Sequence, residues 1–186
     1  MTRSSSDIKS RAEVYCNVAF DAMKDASGVD GVVQLRNEFV ELNQTIARNV
    51  EIRAALTSES FDASQKATLV DKLCEGKSDV LISVVKAMLE NSDLETLRLS
   101  TRLFETKIGE EFSVCIVDVT TAVELDDNLR SLIKDKVKNE LGMDAILHET
   151  QDKSIVGGII MSVNGKCIDA SMITQLNHAR SVLKAS

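Results

Sequence analysis

The chain has no proline and no tryptophan, and its aromatic residues are one tyrosine and five phenylalanines. Without proline, helix ends must be set by glycine and by capping side chains, so element boundaries are read there. Basic residues are also in deficit. The net charge is −7, with −5 before Ser113 and −2 from Ser113 onward. Nucleic-acid binding draws most of its affinity from cationic contacts with phosphate, and no basic stripe with interleaved aromatics is present, so that class is excluded. Direct attachment to anionic lipid is disfavoured by the same sign of charge. No apolar run approaches the ~20 residues that cross a bilayer, so direct membrane insertion is not expected. The opening MTRSSSDIKS lacks the apolar stretch of a secretory signal.

Motifs for chemistry are equally scarce. Cys16, Cys74, Cys115 and Cys167 lie far apart with no C-x-x-C pair and read as small buried hydrophobes. His148 and His178 have no carboxylate or thiol at ligand spacing, so no metal site is expected. Gly158 and Gly165 are seven apart, not five, and Cys167 stands where a phosphate loop needs Ser or Thr. No cofactor is predicted. The acidic pair Asp126-Asp127 sits at a helix start, where the macrodipole accounts for it.

What is present is a core. Hydrophobic residues make up 44% of the chain, enough to organise one domain or two small ones. Ile8, Ala12, Tyr15, Ala19, Ala22 and Ala26 recur at helical spacing, and Gly28 and Gly31 close that helix. A second stripe runs Val32, Leu35, Phe39, Leu42, Ile46, and a short segment spans Val50 to Leu56. Asp62-Ala63-Ser64-Gln65 is a capping box ahead of a helix that stops at Gly76. Ser78 caps the next, with Leu81, Val84, Val85 and Met88 in phase. Ser92 to Glu95 is a second capping box, opening a long helix with Leu94, Leu97, Thr101, Phe104 and Ile108 on one face. The connections are short, which favours antiparallel neighbours.

The period changes near Gly109. Phe112 to Thr121 is rich in β-branched residues and predicts a strand. Asp126 caps a helix carrying Leu129, Leu132, Ile133, Val137 and Leu141, which Gly142 ends. Met143 to Thr150 predicts a second strand. Ile159–Val163 and Lys166–Ala170 flank Asn164-Gly165, a strong signal for a tight hairpin because both turn positions take positive φ. Gly157-Gly158 precede it. Ser171 then caps a last helix ending at Leu183. The predicted fold is mostly α: an N-terminal antiparallel bundle of about six helices over residues 1–108, then a small α+β domain over 109–186.

Three segments resemble the delta subunit of bacterial F-type ATP synthase, the counterpart of the mitochondrial oligomycin-sensitivity-conferring protein. Tyr15-Cys16-Asn17-Val18-Ala19-Phe20 is similar to that family's Tyr-Ala-x-Ala-Leu-Phe helix. Met88 to Leu97, MLENSDLETL, is similar to its Leu-x-Glu-Asn-x-Arg-Leu-x-x-Leu segment. Ile155 to Ser171 resembles its signature of an aliphatic residue, Gly-Gly, an alternating strand, a turn and Ile-Asp-x-Ser. Lys153, Ala170 and Asp93 depart from the pattern: Lys153 lies where the family usually has Pro, Ala170 replaces a common Gly, and Asp93 stands where Gly or Arg is frequent.

The resemblance implies a non-catalytic stator subunit at the cytoplasmic face of the cell membrane, present once per complex. Its helical domain would hold N-terminal segments of the alpha subunits on the catalytic head. Its C-terminal domain would grip the C-terminal end of the b stalk. The expected alpha contacts are Tyr15, Ala19, Phe20 and Met23, and the expected b contacts are Ile159, Met161, Val163 and Ile168. The small-residue stripe Ala12, Ala19, Ala22 and Ala26 is read either as close packing inside the bundle or as a groove for a partner helix. Two other classes remain: an adaptor of an unrelated complex that shares only the bundle, and a small enzyme built on a Cys–His pair brought together in space.

Overall fold

A computed structural model describes residues 4–58, 60–155, 159–163 and 166–168. The fold is mostly α, with a small α+β part. The chain divides into two compact units, Met1–Lys107 and Ile108–Ser186, with the division falling inside a helix. The expected Gly157-Gly158 bend, the Asn164-Gly165 turn, the Ser171 cap and the final helix lie outside the described residues.

The first unit is helical. Helix α1 spans Ser5–Arg48 and is two helical segments joined at Gly28, whose φ of 61° and ψ of −148° interrupt the helix. A side chain at that φ would be strained, which is why glycine serves there. Helix α2 is Val50–Thr57, α3 is Ala63–Leu73 and α4 is Asp79–Glu90. The caps follow the chemistry of the side chains. Asn49 accepts from the Glu51 and Ile52 amides, Asp62 and Gln65 form a complete capping box, and Ser78 accepts from the Leu81 amide. Helix α3 stops at Leu73, ahead of Gly76, which takes φ 77° in the turn that follows.

A single 3-10 turn, Leu94–Thr96, precedes helix α5, Leu97–Phe112. The long helix therefore begins three residues later than its apolar phase predicted and runs on through Gly109. The predicted strand start at Phe112 is corrected accordingly. Ser113, at φ 54°, makes the turn out of the helix.

The first unit's core is centred on Phe104 of α5. Its ring lies 5.4 Å from that of Phe20 and 5.6 Å from that of Phe39, so it meets both halves of α1. The inward face of the first half of α1 is Ala12, Cys16, Ala19, Phe20 and Met23. Ala22 and Ala26, assigned to this stripe from the sequence, are exposed. The second half buries Val32, Leu35, Phe39 and Leu42 as the spacing predicted. Polar residues share this interior. Arg36, 1% exposed, donates from Nε at 2.8 Å and from Nη2 at 2.5 Å to Oε1 of Glu105. Asn43 donates to Thr101 Oγ1 at 2.7 Å, and the Ser100 hydroxyl donates to the Ala12 carbonyl at 3.2 Å.

The second unit is built on a sheet of order β2-β1-β3-β4, from β1 Val114–Thr121, β2 Asp144–Gln151, β3 Ile159–Val163 and β4 Lys166–Ile168. β1 pairs in parallel with β2 and antiparallel with β3, and β3 pairs antiparallel with β4. Helix α6, Asp127–Leu141, makes the crossover between the parallel strands, capped by Asp126 and ended by Gly142 in the left-handed region. Its Leu129, Ile133 and Val137 pack on one face of the sheet, against Cys115, Val117, Val119, Ile159, Met161 and Val163. Arg130 ties the start of α6 to β2 through a two-point contact with Glu149, at 2.8 and 3.1 Å.

Cys16, Cys74 and Cys115 are free and buried. Burial pushes all three thiols up, Cys16 to about 11 from an ordinary 9.0. A thiol held neutral in this way adds stability that is complete below about pH 9 and is lost as pH rises through about 11. In a Cys167→Ser background, a thiol reagent at about pH 8 is expected to leave the folded chain unmodified and to label all three cysteines in denaturant. Rapid labelling of Cys16 in the folded state would contradict its placement.

A buried charge deprived of its counterion is among the costliest defects a core can carry, and removing the Arg36 side chain would leave the Glu105 carboxylate in that state. Arg36→Ala is expected to lower stability by about 3–5 kcal/mol, measured by urea unfolding followed by circular dichroism. The double change Arg36→Met with Glu105→Leu is expected to recover most of that loss, and an equal loss in both proteins would refute the role given to the pair.

Candidate functional site

Among the described residues, no group of three or more His, Cys, Asp or Glu side chains is placed to hold a metal. His148 Nδ1 lies 2.9 Å from Asp118 Oδ1, its neighbour across the parallel strand pair. Cys115 points to the α6 side of the sheet with Leu147, and His148, the next residue along β2, points to the other. The sheet therefore separates this thiol from this imidazole. A surface cavity of about 70 Å³ between α3 and α4, lined by Ala63, Lys66, Ala67, Lys86, Leu89 and Glu90, is far below the size of a cofactor site.

Surfaces for a partner are a better match to what is present. Helix α1 carries the residues singled out from the sequence, and the structure distributes them unevenly. Ala19 and Phe20 are fully buried and Met23 is 7% exposed, so all three are core in the free chain and offer it no surface. Tyr15 is half-buried, and its hydroxyl donates to Oδ2 of Asp93 at 2.9 Å. Burial, then the Asp93 hydrogen bond and charge, push the Tyr15 hydroxyl above its usual range. The exposed large apolar residues of this helix are instead Val14 and Val18, at 59% and 58%. They stand four residues apart on one face, the spacing at which an apolar helix meets another. That spacing was legible in the sequence, but the alanines of the same helix compete for the role of apolar stripe.

The hairpin residues are divided in the same way. Ile159, Met161 and Val163 belong to the core under α6, and Ile160, between the first two, is 52% exposed on the other face. Ile168 is the strand partner of Met161 in β4. On β3 the outward apolar group is thus Ile160. The alternation of β3 carries the signal, but it does not say which of its two faces turns inward.

The ends of the exposed α1 face are held by polar contacts. Arg11 Nη1 donates to both carboxylate oxygens of Asp93, at 2.9 and 3.0 Å, and Asp93 is 2% exposed. Further along, Lys107 Nζ donates to Asn17 Oδ1 at 2.8 Å and pairs with Asp21 at 3.3 Å, and it lies 4.6 Å from the centre of the Phe20 ring. No helix among the described residues is long and apolar enough to cross a membrane.

Comparison with known proteins matches this arrangement along its length. The family model described as ATP synthase delta (OSCP) subunit matches residues 12–183, which takes in both units. ATP synthase subunit delta of Christiangramia forsetii is 27% identical over 173 residues, 93% of this chain and 92% of that protein. The subunit of the same name from Limosilactobacillus reuteri is 24% identical over 178 residues, covering 95% and 97%. Among solved structures, a chain of the Toxoplasma gondii mitochondrial ATP synthase hexamer shares the fold at a TM-score of 0.52 with 16% identity, covering 94% of this chain and 98% of that one. With a family match that spans nearly the whole chain, this protein belongs to the ATP synthase delta (OSCP) subunit family.

Proposed function

We propose that this chain is a stator subunit of a bacterial F-type ATP synthase. It ties the catalytic head to the peripheral stalk and performs no covalent step of its own. The helical unit receives an N-terminal segment of the head's alpha subunit. The α+β unit receives the C-terminal end of the b stalk. The subunit sits on the cytoplasmic face of the cell membrane as a peripheral member of the complex, one copy to each. The observation that carries this reading is the family match over both units. Two separate cores, each with its own exposed apolar residues, suit a chain that is held at both ends.

The physics of the task sets the kind of contact required. A stator link is useful only while it stays closed as the central shaft turns, so dissociation must be slow. Nanomolar affinity corresponds to about −12 kcal/mol. Apolar anchors in a desolvated contact supply energy of this kind more effectively than rim charges do. Val14 and Val18 are the anchors of the alpha contact, with Tyr15 at their flank and Ala19, Phe20 and Met23 supporting the helix from beneath. Ile160 is the exposed anchor on the stalk side, backed by the core residues Ile159, Met161 and Val163, with Ile168 on the adjoining strand.

Calorimetry with an alpha-subunit N-terminal peptide from the same organism tests the first contact. Val14→Asp with Val18→Asp is expected to weaken binding on the order of a hundredfold. Stability should change by no more than about 0.5 kcal/mol, because both positions are on the surface of the free chain. Wild-type affinity in that variant would remove α1 from the contact. Omission of the subunit from the reconstituted complex is expected to uncouple proton flow from ATP synthesis, and full coupling without it would overturn the stator reading.

A further inference from the structure

The polar contact at the start of α1 is built more firmly than the helix around it. From Ser4 to Arg11 only Ile8 and Arg11 are even half-buried, and the first buried apolar residues are Ala12 and Cys16. Helix ends held by so little apolar burial ordinarily fray. Here one nearly inaccessible carboxylate holds two residues a turn apart. Asp93 Oδ1 accepts from Arg11 Nη1, and Oδ2 accepts from both Arg11 Nη1 and Tyr15 Oη. The backbone of Asp93 is fixed in turn. Its amide donates to the Met88 carbonyl at 2.7 Å, and its own carbonyl accepts from the Thr96 amide at 2.8 Å and the Thr96 hydroxyl at 2.7 Å. The carboxylate is a rigid post, and the first turns of α1 are the part fastened to it.

Val14 lies three residues beyond Arg11, and Val18 three beyond Tyr15. Fixing Arg11 and Tyr15 therefore fixes the rotation and height of the helix turn that carries both valines. We propose that Asp93, through Arg11 and Tyr15, is a positioning residue that holds the Val14–Val18 face in its docking geometry and so sets affinity for the helical partner. This rests on the reading that the same face receives the alpha-subunit segment. Asp93 touches no partner itself. A helix already ordered costs less to bind than one that must be ordered during association. A charge-assisted contact to a buried carboxylate is the stronger of the two polar ties along this face, because the Lys107 contact at its other end is made to the exposed side chains of Asn17 and Asp21.

Peptide binding by full-length variants, read with amide exchange, tests the proposal. Asp93→Asn keeps an acceptor for Tyr15 but removes the charge that holds Arg11. It is expected to weaken peptide binding roughly threefold to tenfold. Amide exchange is expected to accelerate on the order of tenfold over residues 5–18 and nowhere else. Tyr15→Phe removes a single hydroxyl, shifts both readouts in the same direction, and decides the matter if Asp93→Asn does not fold. Arg11→Met added to Asp93→Asn is expected to weaken binding no further than Asp93→Asn alone, because the tie is already broken, whereas independent losses of general stability would add. Val137→Ala, in the core of the second unit, lowers stability and leaves peptide affinity unchanged. Folded Asp93→Asn and Tyr15→Phe proteins that bind as wild type would overturn the positioning role alone. Failure of the wild-type chain to bind the peptide would overturn the docking reading and this role together.

Discussion

Arg36 carries a full charge in a place water does not reach, and Glu105 is what makes that possible. Taking a guanidinium out of water costs several kcal/mol unless a counterion and hydrogen bonds replace its hydration. The requirement brings α5 against the second half of α1 at one turn of each helix. The residue before Glu105 is Phe104, whose ring also touches Phe20 in the first half of α1. One turn of α5 thus meets both halves of α1, and both halves can reach it only because Gly28 breaks the helix between them. With that arrangement made, Ala19, Phe20 and Met23 face inward, and Val14 and Val18 are left outside.

The proposed stator role asks the subunit to stay attached, and the interior contacts described here are suited to that. The chemistry-bearing side chains named here among the described residues are committed to structure. The three described cysteines are buried with raised thiols, Arg36 and Glu105 neutralise one another, and Glu38, itself buried, accepts from the Ser78 amide and hydroxyl and so helps start α4. Among the described residues, no buried side-chain polar atom is left without a partner. What remains exposed and apolar is small and local, which fits contacts made by a few anchors set in a polar rim.

Much of the local structure was legible in the residues themselves. Asp62 and Gln65 satisfied each other's backbone partners as the capping box demands, Asp126 and Gly142 bounded α6, and the stripe Val32, Leu35, Phe39, Leu42 turned inward. The β-branched run ahead of Thr121 became a strand, and the alternation of Ile159 to Val163 became another, in antiparallel pairing with it. Where the reading slipped, the signal was symmetric. On the first half of α1, alanines and larger apolar residues surround much of the helix, so spacing alone allows more than one inward direction, and it is Cys16 and Met23, not Ala22 and Ala26, that turn inward. At Ser92 to Thr96 the apolar phase is helical, but the backbone takes a left-handed residue and a 3-10 turn first.

Helical spacing, caps, the change of period near residue 110, the lack of recognisable catalytic motifs and, through three motifs, the family resemblance are all written in the order of residues. These are properties of neighbours along the chain, where a few residues decide the local hydrogen bonding. It takes the packed fold to show that Arg36 meets Glu105 from 69 residues away, that Asp93 reaches Arg11 and Tyr15, and that Val14, Val18 and Ile160 face outward. Periodicity states that a helix or strand has a face. Which way that face turns is settled by the elements packed against it, and those contacts join residues that no local pattern relates.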